Sequence, residues 1–302
     1  MATVERTLPL EAAPPRPRIR EHETLRRLTR IPTGMLGAAL LVVVLVAAVG
    51  APFLAPYGYD DQNLANRMKP PAWSDGGTWS HPLGTDPLGR DILSRIIYAA
   101  RTSLGISAAS VVVAGLFGVA IGLLSGYYRG WVDAVAMRVA DVQLSFPYLL
   151  LAIAVMALLQ PSIGNLIAVL ALRSWVVYAR TVRGSALQVK EQDFVEGARA
   201  LGAPDRRIIL RHLLPNVLTP VIVISSFQLA ELIIAESSLS FLGLGVQPPT
   251  PSWGAMLSQG REYLTTAWWL GVFPGVAIIL TVLATNLFGD GVRDALDPRL
   301  KV

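Results

Sequence analysis

The stretch Glu196–Pro215, EGARALGAPDRRIILRHLLP, decides the reading of this chain. It is polar and charged, yet it separates two apolar segments, 165–183 and 214–241, and it carries the marks of a helix that stops and restarts. Gly202 suits the left-handed position after a helix end, and Pro204 suits the first turn of the next helix, with Ala203 between them. Two short helices joined by a tight corner are expected. The first bears Lys190, Glu191, Asp193, Glu196 and Arg199; the second bears Arg206, Arg207 and Arg211. A basic helix lying on anionic lipid would show a mainly basic face, and Glu191, Asp193 and Glu196 argue against that. A compact charged hairpin beside a bilayer is a surface for another protein to grip.

Working outward, the 302 residues are 53% hydrophobic and only 16% charged. Mean hydropathy is +0.49, whereas soluble domains carry about 25% charged residues. This is the composition of a membrane protein. The net charge of +5 gathers beside apolar segments rather than along one soluble face, so it speaks for orientation in a membrane and contact with membrane lipid, and against nucleic acid. Cysteine is absent, which excludes disulfides, thiolate metal sites and cysteine nucleophiles. His22, His81 and His212 stand too far apart in sequence to form a metal-ligand motif, and no metal site is expected.

A bilayer core about 30 Å thick needs roughly 20 apolar residues in a helix. The stretches 35–54 and 102–126 meet this requirement without a charge. The uncharged run 142–172 is too long for one crossing and is broken by Gln160, Pro161, Ser162, Gly164 and Asn165, so it reads as a hairpin of two spans, 142–159 and 165–183. Spans 214–241 and 268–288 follow, the last with Trp268 and Trp269 as interfacial anchors. The expected fold is an all-α polytopic membrane protein with six transmembrane helices. Its parts are a disordered tail (1–33), a first span (34–55), an outer loop (56–100), a core of five spans (101–290) holding the hairpin (186–215), and a C-terminal segment (291–302).

Lys and Arg set the direction, because positive flanks stay in the cytoplasm. The tail, the loop around Arg129 and Arg138, the hairpin and the C-terminus hold 19 of the 26. The opposite side holds 6, and Arg173 lies inside a span. Both termini and the hairpin are therefore expected in the cytoplasm. The first apolar run is too long and begins too late for a cleavable signal, so it reads as an uncleaved anchor.

Inside the membrane, Gly118, Gly122 and Gly126 recur every four residues, and Ala114 extends the same face. Small residues let backbones approach, and packing against another span of the same chain is preferred to self-dimerisation. Arg173 and Glu231 are charges at membrane depth. Each costs about 2.5–3.5 kcal/mol at a helix centre unless it faces protein or water. They lie at about 12 and 15 Å from the outer ends of their spans, which permits a pair. A buried pair fixing two helices is preferred; the other reading places Arg173, Glu231 and also Glu236 on a hydrated substrate path.

Glu196, Ala198, Gly202, Leu214 and Pro215 fall at the spacing of the "EAA" loop of ABC importer permeases, which this segment resembles. Gly197 and His212 depart from the pattern, in place of Ala and Ile. Four further segments are similar to the C-type membrane subunit of dipeptide, oligopeptide and nickel importers: His81–Leu104, Gly126–Pro147, Glu236–Gly254 and Gly289–Arg299. The resemblance implies a type I importer permease fold with cytoplasmic coupling helices, in the plasma membrane of a prokaryote. It implies a B-type permease partner, two ATP-binding subunits and an extracytoplasmic substrate-binding protein. It also implies a coupling role for Glu196, Gly197, Ala198, Gly202, Ala203, Pro204, Leu214 and Pro215. Cargo would be a dipeptide or oligopeptide, with a nickel complex as the alternative.

The chain carries no G-x-x-x-x-G-K-[ST], since Lys69, Lys190 and Lys301 lack the glycines that cradle phosphates. ATP and magnesium would be held by partner subunits, and the chain itself has no catalytic residues. A proton-driven transporter using Asp141, Glu231 and Glu236 is the main rival. It is weakened because positions five apart do not share a helix face.

Overall fold

A computed structural model describes residues 32–296. The tail expected to be disordered lies outside the described residues, except that Pro32 and Thr33 already belong to a helix; residues 297–302 lie outside as well. Among the described residues the regular structure is helical, apart from an isolated bridge between Thr85 and Asp91. The helices are α1 (Pro32–Val49), α2 (Ala51–Leu54), α3 (Ile92–Tyr128), α4 (Gly130–Leu144), α5 (Tyr148–Leu159), α6 (Ile163–Lys190), α7 (Asp193–Ala200), α8 (Asp205–Ile208), α9 (Leu214–Phe241), α10 (Trp253–Gly260) and α11 (Trp269–Leu296). Five helices are long and apolar enough to cross a membrane, and six crossings result if the bent pair α4 and α5 counts as one.

Three expectations about the spans are corrected. The second begins ten residues before Thr102, because Asp91 caps α3 by accepting the Ser94 amide at 2.8 Å and its hydroxyl at 2.7 Å. At 37 residues, α3 is roughly 55 Å long and exceeds the bilayer core. The third span is not one straight helix over 142–159: the chain turns through 91° between α4 and α5, at the Ser145–Pro147 break. Pro147 bars continuation, and the 12 residues of α5 reach only about 18 Å. Trp269 is buried rather than interfacial, and its indole N–H donates to the Thr85 carbonyl at 3.2 Å.

The glycine row does what its spacing implies. A Cβ at Gly118 would stand 2.5 Å from the Trp175 carbonyl oxygen, one at Gly122 2.6 Å from that of Ala179, and one at Gly126 2.7 Å from the Ala186 Cβ. The α3–α6 seam is thus a backbone-to-backbone contact within the chain. Ala114 continues it against Ala171 and Tyr178.

Apolar side chains gather in layers along the bundle. At one end Ile92, Trp253, Met256, Trp269 and Leu270 pack beneath the 55–91 loop. Asp86 secures that loop by accepting from Arg90 Nε at 2.6 Å, from the guanidinium of Arg95 and from two backbone amides. At the other end Leu123, Tyr127, Val182 and Ala186 meet Val195, Ile208, Leu213 and Val217. The hairpin read as charged in sequence therefore has an apolar underside seated on the bundle.

Candidate functional site

The corner forms as its residues dictate. Gly202 takes φ +78°, its amide donates to Arg199 O at 2.9 Å, and the Ala203 amide donates to Ala198 O at 3.1 Å. That pair of reverse bonds is a Schellman helix end, which needs a left-handed residue where only glycine is unstrained. Pro204 precedes α8 as its cap, one position earlier than expected. The second arm is also not a separate short helix. α8 passes through a π-helical turn, Ile209–Leu213, straight into α9, and Asp205–Phe241 forms one helical rod. The wide turn falls just before Pro215, which has no N–H to give Arg211 O and whose ring crowds that carbonyl; the Leu214 amide bonds to Ile209 O instead.

Side chains clamp this elbow to its neighbours. Tyr127, at the end of α3, donates its hydroxyl to Asp205 Oδ1 at 2.5 Å. Lys190 Nζ donates to Tyr127 O at 2.5 Å and lies 5.1 Å from that ring's centroid. Arg129 pairs with Glu191 at 2.7 Å, and next to the elbow Arg183 of α6 grips both Asp133 oxygens of α4 at 2.5 and 2.6 Å. The outer face is free: Glu196, Gly197, Gly202, Pro204 and Pro215 are exposed, while Ala198, Ala203 and Leu214 are half-buried. Leu201, at the tip, is 90% exposed. Sequence reasoning passed over Leu201 and Tyr127, and nothing in the sequence marks the exposure of Leu201.

The second site lies between α5, α6 and α9. Arg173 donates to Glu231 Oε2 at 3.0 Å, so the two are brought together. The pair is not buried, as preferred from sequence: the side chains are 29% and 56% exposed. They stand on the wall of a cavity of about 240 Å³, with Tyr148, Gln143, Ser174 and Gln228. Arg173 lies over the Tyr148 ring at 5.0 Å. Glu236 is a correction, for the structure separates it from this cavity and buries it completely. Ser240 donates to its carboxylate at 2.7 Å, with Ser237 at 3.4 Å and Ser103 and Ser252 beside it, so it ties α9 to α3 and α10. Among the described residues no group of acidic and histidine side chains is arranged to hold a metal ion.

Comparison with known proteins fits this architecture. Residues 118–302 match the family described as binding-protein-dependent transport system inner membrane component, and residues 22–71 match the N-terminal TM domain of oligopeptide transport permease C. The glutathione transport system permease protein GsiD of Escherichia coli O1:K1 is 44% identical over 284 residues, covering 93% of this chain and 91% of that one. A Brucella suis biovar 1 protein, named provisionally as a peptide transport system permease, is 44% identical over 279 residues and 92% of each chain. A chain of the MetNI methionine ABC transporter in inward-facing form shares the fold at TM-score 0.55 and 17% identity, over 67% of this chain and 96% of that one. The chain accordingly belongs to the binding-protein-dependent transport system inner membrane components, the multi-pass membrane permease subunits of bacterial ABC importers.

Proposed function

We propose that the chain forms half of the translocation path of an ATP-driven peptide importer and draws its energy from separate ATPases that seat on the elbow. A B-type permease would supply the other half, two ATP-binding subunits would hold ATP and magnesium, and a substrate-binding protein would dock on the opposite side. The chain itself would carry no catalysis. Both termini and the elbow would face the cytoplasm.

The observation that carries this reading is the elbow's construction: an exposed tip at Leu201, an apolar underside in the bundle, and a second arm continuous with α9. A closing ATPase pair that displaced such a lever would tilt α9 against its neighbours and switch the bundle between inward-open and outward-open arrangements. Names of relatives, glutathione and peptide transport, support peptides over a nickel complex. A proton relay fits less well, since Glu236 is enclosed by serines away from Glu231, and Asp141 is held by Arg180 at 2.5 Å.

The test is ATP-driven peptide uptake by the assembled complex in vesicles with the proton gradient collapsed. Glu196→Lys and Gly202→Pro are expected to insert and assemble yet lose at least tenfold in uptake. Unchanged uptake by both variants, or uptake abolished by collapsing the gradient, would overturn the proposal.

A further inference from the structure

The Arg173–Glu231 pair sits where a structural tie would be poorly placed. Arg173 is on α6, which leads into the elbow, and Glu231 is on α9, which leads out of it. A displacement of the elbow acts on both helices and so on the pair. Other polar groups on the cavity wall are engaged: Gln143 accepts from the Trp175 indole at 2.7 Å and donates to Leu172 O at 2.5 Å, and Ser174 turns to Gln228 at 3.4 Å. Tyr148 adds an unsatisfied group, a buried hydroxyl with no hydrogen-bond partner. The groups left to exchange partners are thus one guanidinium and one carboxylate, 3.0 Å apart and both open to the cavity.

We propose that this cavity is a transit site for zwitterions, in which Arg173 takes a peptide's carboxylate and Glu231 its ammonium group. The proposal rests on the importer reading and deepens it by assigning the charge contacts to this subunit. The exchange conserves charge pairs: each member of the open ion pair gains an opposite charge from the same solute, and the guanidinium fork suits a carboxylate. A solute with one end blocked leaves Arg173 or Glu231 unpaired at membrane depth, which is costly. Selection for two free termini follows from that asymmetry.

The absence of cysteine makes the test direct. Val177 lines the cavity and is 40% exposed, so Val177→Cys, or Leu172→Cys at 41% should the first not assemble, places a single thiol on this subunit. In the assembled importer, a charged membrane-impermeant methanethiosulfonate should modify that thiol. Dialanine, trialanine and glutathione should slow the reaction at least threefold, whereas trialanine acetylated and amidated at its ends should not. Arg173→Gln should remove the protection and Arg173→Lys should keep part of it. No modification in a complex that still takes up peptide would mean that the partner permease seals the cavity, and would overturn the proposal. Equal protection by blocked and free peptides, or none by either, would overturn it as well. Failure of the importer reading shows separately, as the absence of ATP-driven uptake of all three peptides by the same single-cysteine complex.

Discussion

At Gly202 the backbone alone decides the residue. Its φ is +78°, and a Cβ there would meet nothing within 4 Å, so substitution meets no steric barrier and is penalised only by the left-handed conformation. Gly202→Ala should destabilise the elbow by about 1 kcal/mol. Gly197 is the opposite case. It lies inside α7 with the same empty surroundings but an ordinary helical φ, and Gly197→Ala should stabilise by about 0.5–1 kcal/mol. Thermal unfolding of the detergent-purified protein, with the two variants shifting in opposite directions, checks both. The corner was legible in sequence because glycine before an X-Pro pair has few other uses. The exposure of Leu201 was not, since an isolated leucine gives no sign of which way it faces. The Arg173–Glu231 contact was legible from matched depth, but burial depends on what stands beyond the pair, and linear spacing holds nothing about that.

Among the elements, the α3–α6 seam is the contact that most constrains sequence. Gly118 and Gly122 bring α3 against the backbone of α6, whereas a Cβ at Gly115 would meet only the Tyr178 ring at an ordinary 3.7 Å. Gly118→Val or Gly122→Val should cost about 1–3 kcal/mol or more through overpacking, while Gly115→Ala should be near neutral. Yield and midpoint of thermal unfolding across the three variants test this; equal tolerance would place the seam elsewhere. The four-residue period exposed this seam in advance. The bend between α4 and α5 was missed because both sides of Pro147 are apolar, and hydropathy averages across a break that one missing N–H and one ring impose. The continuity of α8 with α9 was missed for the converse reason. Pro215 reads as a helix start, yet a π turn absorbs it and the rod goes on.

For the whole molecule, the two ends of the bundle differ in kind, and this makes its direction testable. One end is a loop locked around Asp86 and Asp91 and packed on Trp253 and Trp269; the other is the elbow, held by Tyr127, Lys190 and paired charges. α3 connects them, its first turn capped by Asp91 and its last residues bonded to the elbow, so its 37 residues put the two ends on opposite faces of a bilayer. The Lys and Arg excess beside the elbow predicts that this face is the cytoplasmic one. Two single cysteines in this cysteine-free chain decide it: Leu201→Cys at the elbow tip and Trp79→Cys in the loop, where the native side chains are 90% and 79% exposed. An impermeant maleimide should modify Trp79→Cys in intact cells and Leu201→Cys only in inverted vesicles. Adding the ATP-binding subunits should slow modification at Leu201→Cys at least fivefold and leave Trp79→Cys unaffected. Modification of both from one side would require an even number of crossings between them, which α3 with its fixed ends does not permit. Unhindered reaction at Leu201→Cys in the assembled complex would separate the elbow from the ATPases and leave the lever with nothing to drive it.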